Sequence, residues 1–379
     1  MTGSLKIVEV FGIPVKLHWT FSLLLLWVIG ASWNYGLTFQ QTGWQLLFVF
    51  SLFLCVVLHE YGHALTARRF GVMTRDIILS PIGGIARLER LPEKPIQEFL
   101  VAIAGPLVNV AIAILLLPYF YFYPISNFFE KIFSLQIFDD GLDFVPAILV
   151  LNLILAAFNM IPAFPMDGGR ILRSLLSLKL PRIQATRVAS YIGQAFGFLF
   201  ILWAFVPEEF LPFDLENGGV TTGFIGMFIL FTARREYESA KVEHILESFK
   251  VSDVMVSYFS RLNEHEPMEA AANYLRQTRE RNFLVFAEDA QIVGSISEKS
   301  IIKAIKSNNL GADILKYTEI SQIPAVYATE DLKFFYDKLY GYQHTILPVL
   351  ENGLIVGVID DYILNEFLST QRKLSKSKT

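Results

Sequence analysis

The chain has 379 residues, of which 53% are hydrophobic and only 18% charged, and its mean hydropathy is +0.44. Soluble domains carry about 25% charged residues and disordered chains are more polar still, so this composition indicates a membrane protein. The net charge of -4 provides no basic surface for nucleic acid, and the single cysteine, Cys55, excludes an intrachain disulfide. Nucleic acid is therefore not an expected partner.

The apolar residues are concentrated between residues 17 and 233, whereas residues 234–379 alternate charged and apolar positions as soluble domains do. A helix needs about 20 apolar residues to cross the hydrocarbon core, and fewer when it is embedded among other helices. Six segments meet this condition and are predicted to span the bilayer. They are Leu17–Trp33, Trp44–Ala67, Phe99–Phe122, Val145–Pro165, Val188–Val206 and Val220–Ala233.

The distribution of lysine and arginine predicts the orientation, because these residues tend to stay in cytoplasmic loops. They are frequent after the second, fourth and sixth segments, as between Arg68 and Lys94. By contrast, residues 34–43 and 207–219 contain none. The pattern predicts a multi-pass protein of the cytoplasmic (inner) cell membrane, with both termini and the polar tail in the cytoplasm.

The second segment carries three ionisable residues, His59, Glu60 and His63, in the string LHEYGHAL. Such residues are costly inside a membrane, so each is a functional hypothesis. On a helix, positions four apart share a face, and this His-Glu-x-x-His spacing is typical of two zinc ligands with a glutamate as general base. The alternative is a polar helix end at the cytoplasmic interface.

A third ligand is expected, because catalytic zinc usually takes three protein ligands and leaves one position for water. The fourth segment ends in FNMIPAFPMDGGR, where Asp167 is the only acid. The predicted topology brings Asp167 to the same depth as the two histidines. The prolines and glycines of this string break the helix, as is tolerated where backbone lines a polar cavity. The alternative is an ordinary interfacial helix end with Asp167 in water.

The His-Glu-x-x-His helix, together with the pattern from Asn159 through Pro162 and Pro165 to Asp167 and Gly168, resembles the site-2 protease family of intramembrane zinc metalloproteases, peptidase family M50. The resemblance covers residues 1 to about 235. It implies that one catalytic zinc ion is held by two histidines and an aspartate, namely His59, His63 and Asp167. It further implies that Glu60 activates water and that the partners are a transmembrane-helix substrate and the lipid bilayer.

Three asparagines are candidates for stabilising the oxyanion or positioning the substrate: Asn159 and Asn152 in the fourth segment, and Asn109 in the third. The tetrahedral oxyanion of peptide hydrolysis needs a hydrogen-bond donor beside the metal. Buried asparagines in membrane spans also tie helices together, so a structural role stays open for each.

The segment Ile77–Leu88 is expected to hold the substrate as an extended strand. Its β-branched residues surround Pro81, Gly83 and Gly84, which favours a hairpin that dips into the membrane. In the site-2 protease family the matching Gly-Gly segment forms a re-entrant β structure whose edge accepts substrate, which makes Gly83 and Gly84 substrate-strand candidates. An exposed basic cytoplasmic loop is the alternative.

The polar tail contains an internal repeat with a period of 63 residues, in which Phe286–Gly294 aligns with Val349–Gly357. Each unit is predicted to form strand, turn, strand and helix, and Val251–Met255 resembles the start of a cystathionine-β-synthase (CBS) domain. CBS pairs often bind adenine nucleotides through a Ser or Thr and a following Asp. Here Ser300 and Ile363 stand where that Asp is expected, so nucleotide binding and a folding or homodimerising role both stay open.

The sequence thus predicts a membrane all-α polytopic bundle of about six transmembrane helices with a small re-entrant β-hairpin, followed by a cytoplasmic α/β CBS pair. The predicted function is an intramembrane zinc metalloendopeptidase that cleaves transmembrane helices and is modulated by the CBS pair. A CBS-regulated transporter or channel and an inactive helix-binding scaffold are the alternatives. The predicted parts are a protease domain at 1–235, a linker at 236–250, CBS-like repeats at 251–310 and 311–370, and a basic tail at 371–379.

Overall fold

The computed structural model describes residues 3–81, 83–89, 92, 94–122, 144–206, 218–320, 323–342 and 345–377. Most of the predicted loop at 207–219 lies outside this range, as do the last two residues of the predicted basic tail. The chain divides into two compact units, Met1–Glu238 and Ser239–Thr379. Each unit has its own hydrophobic clusters.

The described part of the first unit is mainly helical. Its helices are α1 (Phe21–Asn34), α2 (Phe39–Arg69), α3 (Pro95–Leu116), α4 (Tyr119–Phe122), α5 (Phe144–Asn159), α6 (Asp167–Leu176), α7 (Arg182–Trp203) and α8 (Gly218–Ser248), the last of which continues past the boundary between the units. Local signals set the starts of the two helices that matter most for the site. Thr38 caps α2 in a reciprocal pair of hydrogen bonds with Gln41, and Pro95 occupies the first turn of α3, where its missing N–H costs nothing.

Three of the described helices, α2, α3 and α7, are long and apolar enough to cross a membrane. Helices α1 and α5 are apolar but shorter, with 14 and 16 residues. The sixth predicted segment, Val220–Ala233, lies within α8. The structure therefore supports a membrane-embedded unit, while the number of six spans stays a prediction.

The first unit also contains a four-stranded sheet, which is larger than the predicted hairpin. Its strands are β1 (Ser4–Val10), β2 (Ile13–His18), β3 (Thr74–Ser80) and β4 (Gly83–Leu88), in the order β1-β2-β3-β4. Strands β3 and β4 form the expected antiparallel hairpin, and β2 adds to β3 in parallel. The all-α description omitted β1 and β2, of which only β2 shows the two-residue period of a strand, with Ile13 and Val15 buried and Pro14 and Lys16 partly exposed. The re-entry of the hairpin into the bilayer stays a prediction.

An ion cluster ties three of these strands together. Lys16 of β2 lies 2.6 Å from Asp76 of β3, and the Nε of Arg87 in β4 donates to the same carboxylate at 2.5 Å. The hydrogen bond from Arg87 holds the pKa of Asp76 at about 2, so this carboxylate stays charged at neutral pH. The face of the sheet that contains Ile13 and Ile77 packs against Tyr61 and other residues of α2. The sheet therefore lies directly on the helix that carries the histidines.

The second unit is α/β and repeats itself. Its strands are β5 (Arg261–Asn263), β6 (Asn282–Phe286), β7 (Ile292–Ser297), β8 (Glu319–Ile320), β9 (Val326–Tyr327), β10 (Ile346–Glu351) and β11 (Leu354–Asp360), and its helices are α9 (Met268–Gln277), α10 (Glu298–Lys306), α11 (Leu332–Tyr342) and α12 (Asp361–Ser377). Gly294 pairs with Val285 in the first hairpin, and Gly357 pairs with Val349 in the second. The predicted repeat is thus confirmed in both element order and register.

Candidate metal centre

Three donor atoms from two helices converge in the first unit. The Nε2 atoms of His59 and His63 lie 3.1 Å apart, and each lies 3.1 Å from Oδ2 of Asp167. All three side chains are buried. The spacing of four residues on α2 places the two imidazoles on one face, as the sequence predicted, and the start of α6 brings the carboxylate to them.

The hydrogen bonds behind the histidines define their tautomers. His59 Nδ1 donates to Asn109 Oδ1 at 2.6 Å, and His63 Nδ1 donates to the carbonyl of Val101 at 2.7 Å. Since both partners are acceptors, the proton of each neutral ring lies on Nδ1 and the lone pair lies on Nε2. Two nitrogen lone pairs and a carboxylate oxygen therefore face one another. These groups repel one another electrostatically unless a cation binds between them.

A zinc ion fits this arrangement. Tetrahedral zinc with ligand bonds of about 2.0–2.1 Å places neighbouring donors roughly 3.3 Å apart, close to the separations found here. Two imidazoles and one carboxylate are a known donor set for catalytic zinc, and each histidine has the second hydrogen bond that ligating histidines usually make. The chain therefore has both the donors and their supports.

The backbone before Asp167 explains how the first residue of α6 reaches the helix of the histidines. Helix α5 ends at Asn159, and the following segment contains Pro162 and Pro165, which cannot continue it. This segment folds back onto the first turn of α6. A Cβ atom at Gly168 would lie 2.5 Å from the carbonyl oxygen of Met160, so only glycine allows this approach.

Close packing of α3 on α2 completes the centre. A Cβ at Gly105 would lie 2.7 Å from Nε2 of His59 and closer still to Nε2 of His63. The absence of a side chain at this position leaves the space in which the donor atoms meet. Gly62 of α2 also allows the close approach of α3, since a Cβ there would lie 2.7 Å from the carbonyl oxygen of Ala104.

Glu60 lies in a cavity of about 460 Å³ together with the three donors. Its Oε2 accepts a hydrogen bond of 3.1 Å from the backbone N–H of Ala86 in β4. Asn159, Gly83 and Gly84 line the same cavity. Arg170 also lines it, a residue that sequence reasoning missed although it follows Asp167 by one helical turn. The apolar wall includes Ile225, Phe228 and Ile229 of α8.

The other two candidate asparagines do not reach the cavity. Asn109 and Asn152 are fully buried, and they form a chain of hydrogen bonds that leads away from His59. Asn109 Nδ2 donates to Asn152 Oδ1 at 2.8 Å, and Asn152 Nδ2 donates to the carbonyl of Ile148 at 2.8 Å. Asn109 therefore supports His59, and Asn152 joins α5 to Asn109 of α3. Of the three, Asn159 alone lines the cavity that contains the donors.

In the second unit, the positions considered for nucleotide contact cap helices. The hydroxyl of Ser297 accepts from the N–H of Ser300 at the start of α10, and Asp360 accepts from the N–H of Ile363 at 2.7 Å. Asn282 also donates to Asp360, at 2.9 Å, which links the two repeats. Burial raises the pKa of the Asp360 carboxyl above its ordinary value.

Comparisons with known proteins identify the family of this chain. Residues 47–202 match the family model for peptidase family M50, and residues 251–307 match that for the CBS domain. A zinc metalloprotease of Methanocaldococcus jannaschii is 33% identical over 303 residues, which cover 80% of each chain. A relative from Synechocystis is 28% identical over 385 residues, covering 98% of this chain and 97% of its own. The solved site-2 protease of M. jannaschii is 33% identical and covers 62% of this chain and 95% of its own, with a TM-score of 0.44.

The buried donors, the apolar helices around them and these relatives define an intramembrane zinc metalloprotease. The chain belongs to peptidase family M50, as its motifs predicted, and its second unit contains a CBS domain. The second structural repeat lies beyond the matched residues but has the same strand order and register. Membership of a protease family sets aside the transporter and scaffold interpretations.

Proposed function

We propose that this chain hydrolyses peptide bonds within transmembrane helices of membrane proteins, with one zinc ion held by His59, His63 and Asp167. The observation that carries the proposal is the convergence of three buried lone-pair donors beside Glu60. When bound, zinc would supply a Lewis acid that lowers the pKa of water and polarises the scissile carbonyl.

Glu60 is proposed as the general base. Its carboxylate shares the cavity with the three donors but makes no hydrogen bond to them among the described residues. It can accept the proton of the attacking water and deliver that proton to the leaving amine. The N–H of Ala86 holds one carboxylate oxygen in place meanwhile. Asn159 is the remaining candidate for a donor to the oxyanion, since it lines the same cavity.

The free edge of β4 is proposed as the place where an unwound substrate segment binds. Ala86 directs its N–H away from β3 and towards Glu60, and polar groups of alternate residues in a strand point the same way. Gly84 therefore directs its backbone groups to the cavity side as well. A substrate strand that pairs there would receive main-chain hydrogen bonds close to the base. Gly83, where a Cβ would meet no atom within 4 Å, leaves room for its backbone, whereas Gly84 allows β4 to pack closely on Val56 and Glu60 of α2.

We further infer a multi-pass arrangement in the cytoplasmic membrane, with both termini and the CBS pair in the cytoplasm, on the distribution of lysine and arginine. The CBS pair would modulate cleavage, either by binding an adenine nucleotide or by pairing with the CBS domains of a second copy. The proposed parts keep the predicted boundaries, with the protease domain at 1–235 and the repeats at 251–310 and 311–370.

The test is cleavage of a single-span substrate by the full chain in detergent, with zinc content measured on the same preparation. Glu60→Gln is expected to keep its zinc, because Glu60 is not a ligand, and to lose about 100- to 10,000-fold of the cleavage rate. Glu288→Gln, the same change on an exposed turn, is the matched control and should cleave like the wild type. Equal cleavage by Glu60→Gln and the wild type, or an active metal-free enzyme, would contradict the proposal.

A further inference from the structure

Four charged side chains from α6, α3, α8 and α7 form a cluster, of which Arg173 and Glu98 are buried and Glu236 and Arg182 are partly exposed; we call it the Arg173 cluster. Arg173 Nε donates to Glu98 Oε1 at 2.7 Å, and its Nη2 lies 2.6 Å from the same oxygen. Its Nη1 donates to Glu236 at 2.7 Å, and Arg182 lies 3.5 Å from the other oxygen of Glu98. The side chains of Arg173 and Glu98 are each only 3% exposed.

Burial makes the pair between Arg173 and Glu98 hard to separate. A charge that is held away from water is costly unless its partner stays in contact, so neither helix can move without disturbing the other. The planar guanidinium also lies over the ring of Phe164, 5.1 Å from its centroid. Phe164 belongs to the segment that leads directly into α6, so both sides of Asp167 in the chain are held by one arginine.

The two helices joined by this pair are those that define the centre. Arg173 lies on α6, six residues after Asp167. Glu98 lies on α3, which supplies both supports of the histidines: the carbonyl of Val101 for His63 and the side chain of Asn109 for His59. One ion pair therefore connects the helix that carries Asp167 to the helix that supports both histidines.

Asp167 depends on such an anchor. The only hydrogen-bond partners of its carboxylate among the described residues are the two histidines themselves. Its distance to them therefore follows from the position of α6, a helix of ten residues. We propose that Arg173 is a positioning residue for the metal centre: its pairing with Glu98 holds Asp167 at the separation from His59 and His63 that zinc requires. The inference rests on the proposed assignment of these three residues as ligands.

Glu236 forms the more accessible arm of the cluster. Its side chain is 37% exposed, and it lies on α8, which also supplies apolar wall residues of the cavity. Because solvent screens this contact, its loss should disturb α6 less than the loss of Glu98. The order of effects, with Glu98 before Glu236, distinguishes a specific anchor from a general dependence on surface charge.

The test measures zinc affinity of the full chain in detergent by competition with a chelator, and the visible absorption of the cobalt-substituted protein, which reports ligand geometry. Arg173→Gln is expected to weaken zinc binding by about 10- to 100-fold and to change the cobalt spectrum. Arg173→Lys keeps a charge for Glu98 but not the planar fork, so its affinity should be intermediate. Glu98→Gln should weaken zinc binding more than Glu236→Gln, which should stay closer to the wild type. Arg187→Gln, the same change at an exposed position, is the control.

If Arg173→Gln does not fold, the double variant Arg173→Gln/Glu98→Gln replaces both buried charges by neutral amides and takes its place. Folded Arg173→Lys and double variants with wild-type zinc affinity and cobalt spectra would overturn the positioning role. Failure of the ligand assignment gives a different result: either the wild type binds no zinc or Asp167→Ala binds it as tightly as the wild type. If Asp167→Ala loses zinc while the Arg173 variants bind it normally, the ligand assignment holds and only the positioning role is overturned.

Discussion

A single amide connects His59 to the helices around it. Asn109 accepts the Nδ1 proton of His59 and thereby fixes its tautomer, while its own Nδ2 donates to Asn152. We expect Asn109→Ala to weaken zinc binding by about 10- to 100-fold, since partners that orient a ligating histidine usually contribute this much to affinity. Competition with a chelator measures the change.

Asn152→Ala is the control for this prediction, because Asn152 contacts Asn109 but neither histidine. It should reduce affinity less than Asn109→Ala does. An Asn109→Ala protein with wild-type affinity would show that the histidine keeps its orientation without this partner. The sequence predicted the histidines from their spacing, but it gave Asn109 a possible role at the substrate, because residue type alone does not say which side of a ligand an amide occupies.

At the level of helices, the centre depends on how closely α3 approaches α2. A methyl group at Gly105 would intrude on Nε2 of both histidines. We expect Gly105→Ala to abolish zinc binding and cleavage together, since the methyl group occupies the space where the donors meet. Zinc analysis of the purified variant measures this.

Gly30→Ala provides the comparison, because a Cβ at this exposed position of α1 meets no atom within 4 Å. It should bind zinc normally and should stabilise α1 slightly, as alanine is the better helix former by about 1 kcal/mol. Normal zinc content in Gly105→Ala would mean that α3 can move away from α2 at little cost. The protein would then tolerate a looser packing than the glycine contacts indicate.

The sequence predicted elements well where a short pattern determines them and poorly where distant residues do. The hairpin of β3 and β4 followed from its β-branched residues and glycines, and the break in the helix before Asp167 followed from Pro162 and Pro165. The pairing of β2 with β3 joins residues about 60 positions apart, and Arg173 with Glu98 joins residues 75 positions apart. A local pattern in the sequence contains no information about contacts between such distant residues, so neither the strand pairing nor the ion pair was predicted.

At the level of the whole molecule, zinc should stabilise one unit and not the other. A ligand stabilises only the structure that binds it, by about 4 kcal/mol when its concentration is 1,000 times the dissociation constant. The first unit holds the donors, whereas the second has its own hydrophobic clusters. Removing zinc should therefore speed hydrogen exchange in α2, α3 and α6 and leave β10 and β11 unchanged.

Mass spectrometry of exchanged peptides from the full chain resolves these regions. Asp167→Ala is the control, since a chelator should change nothing further in a protein that has already lost a ligand. A chelator that accelerates exchange equally in both units would contradict the expectation. It would mean that the two units unfold together although each has its own hydrophobic clusters.

Helix α3 contributes no donor atom, yet it supplies the carbonyl of Val101, the amide of Asn109 and the open space at Gly105. This has a practical meaning for protein engineering. Transplanting only α2 and α6 into another helical bundle would carry over the three ligands. The two imidazole rings would then lack the hydrogen bonds that fix their orientation and tautomer, and the space that Gly105 leaves for the donor atoms would be missing. The smallest part that could be transferred consists of helices α2, α3 and α6, with the ion pair between Glu98 and Arg173 retained to hold α3 and α6 together.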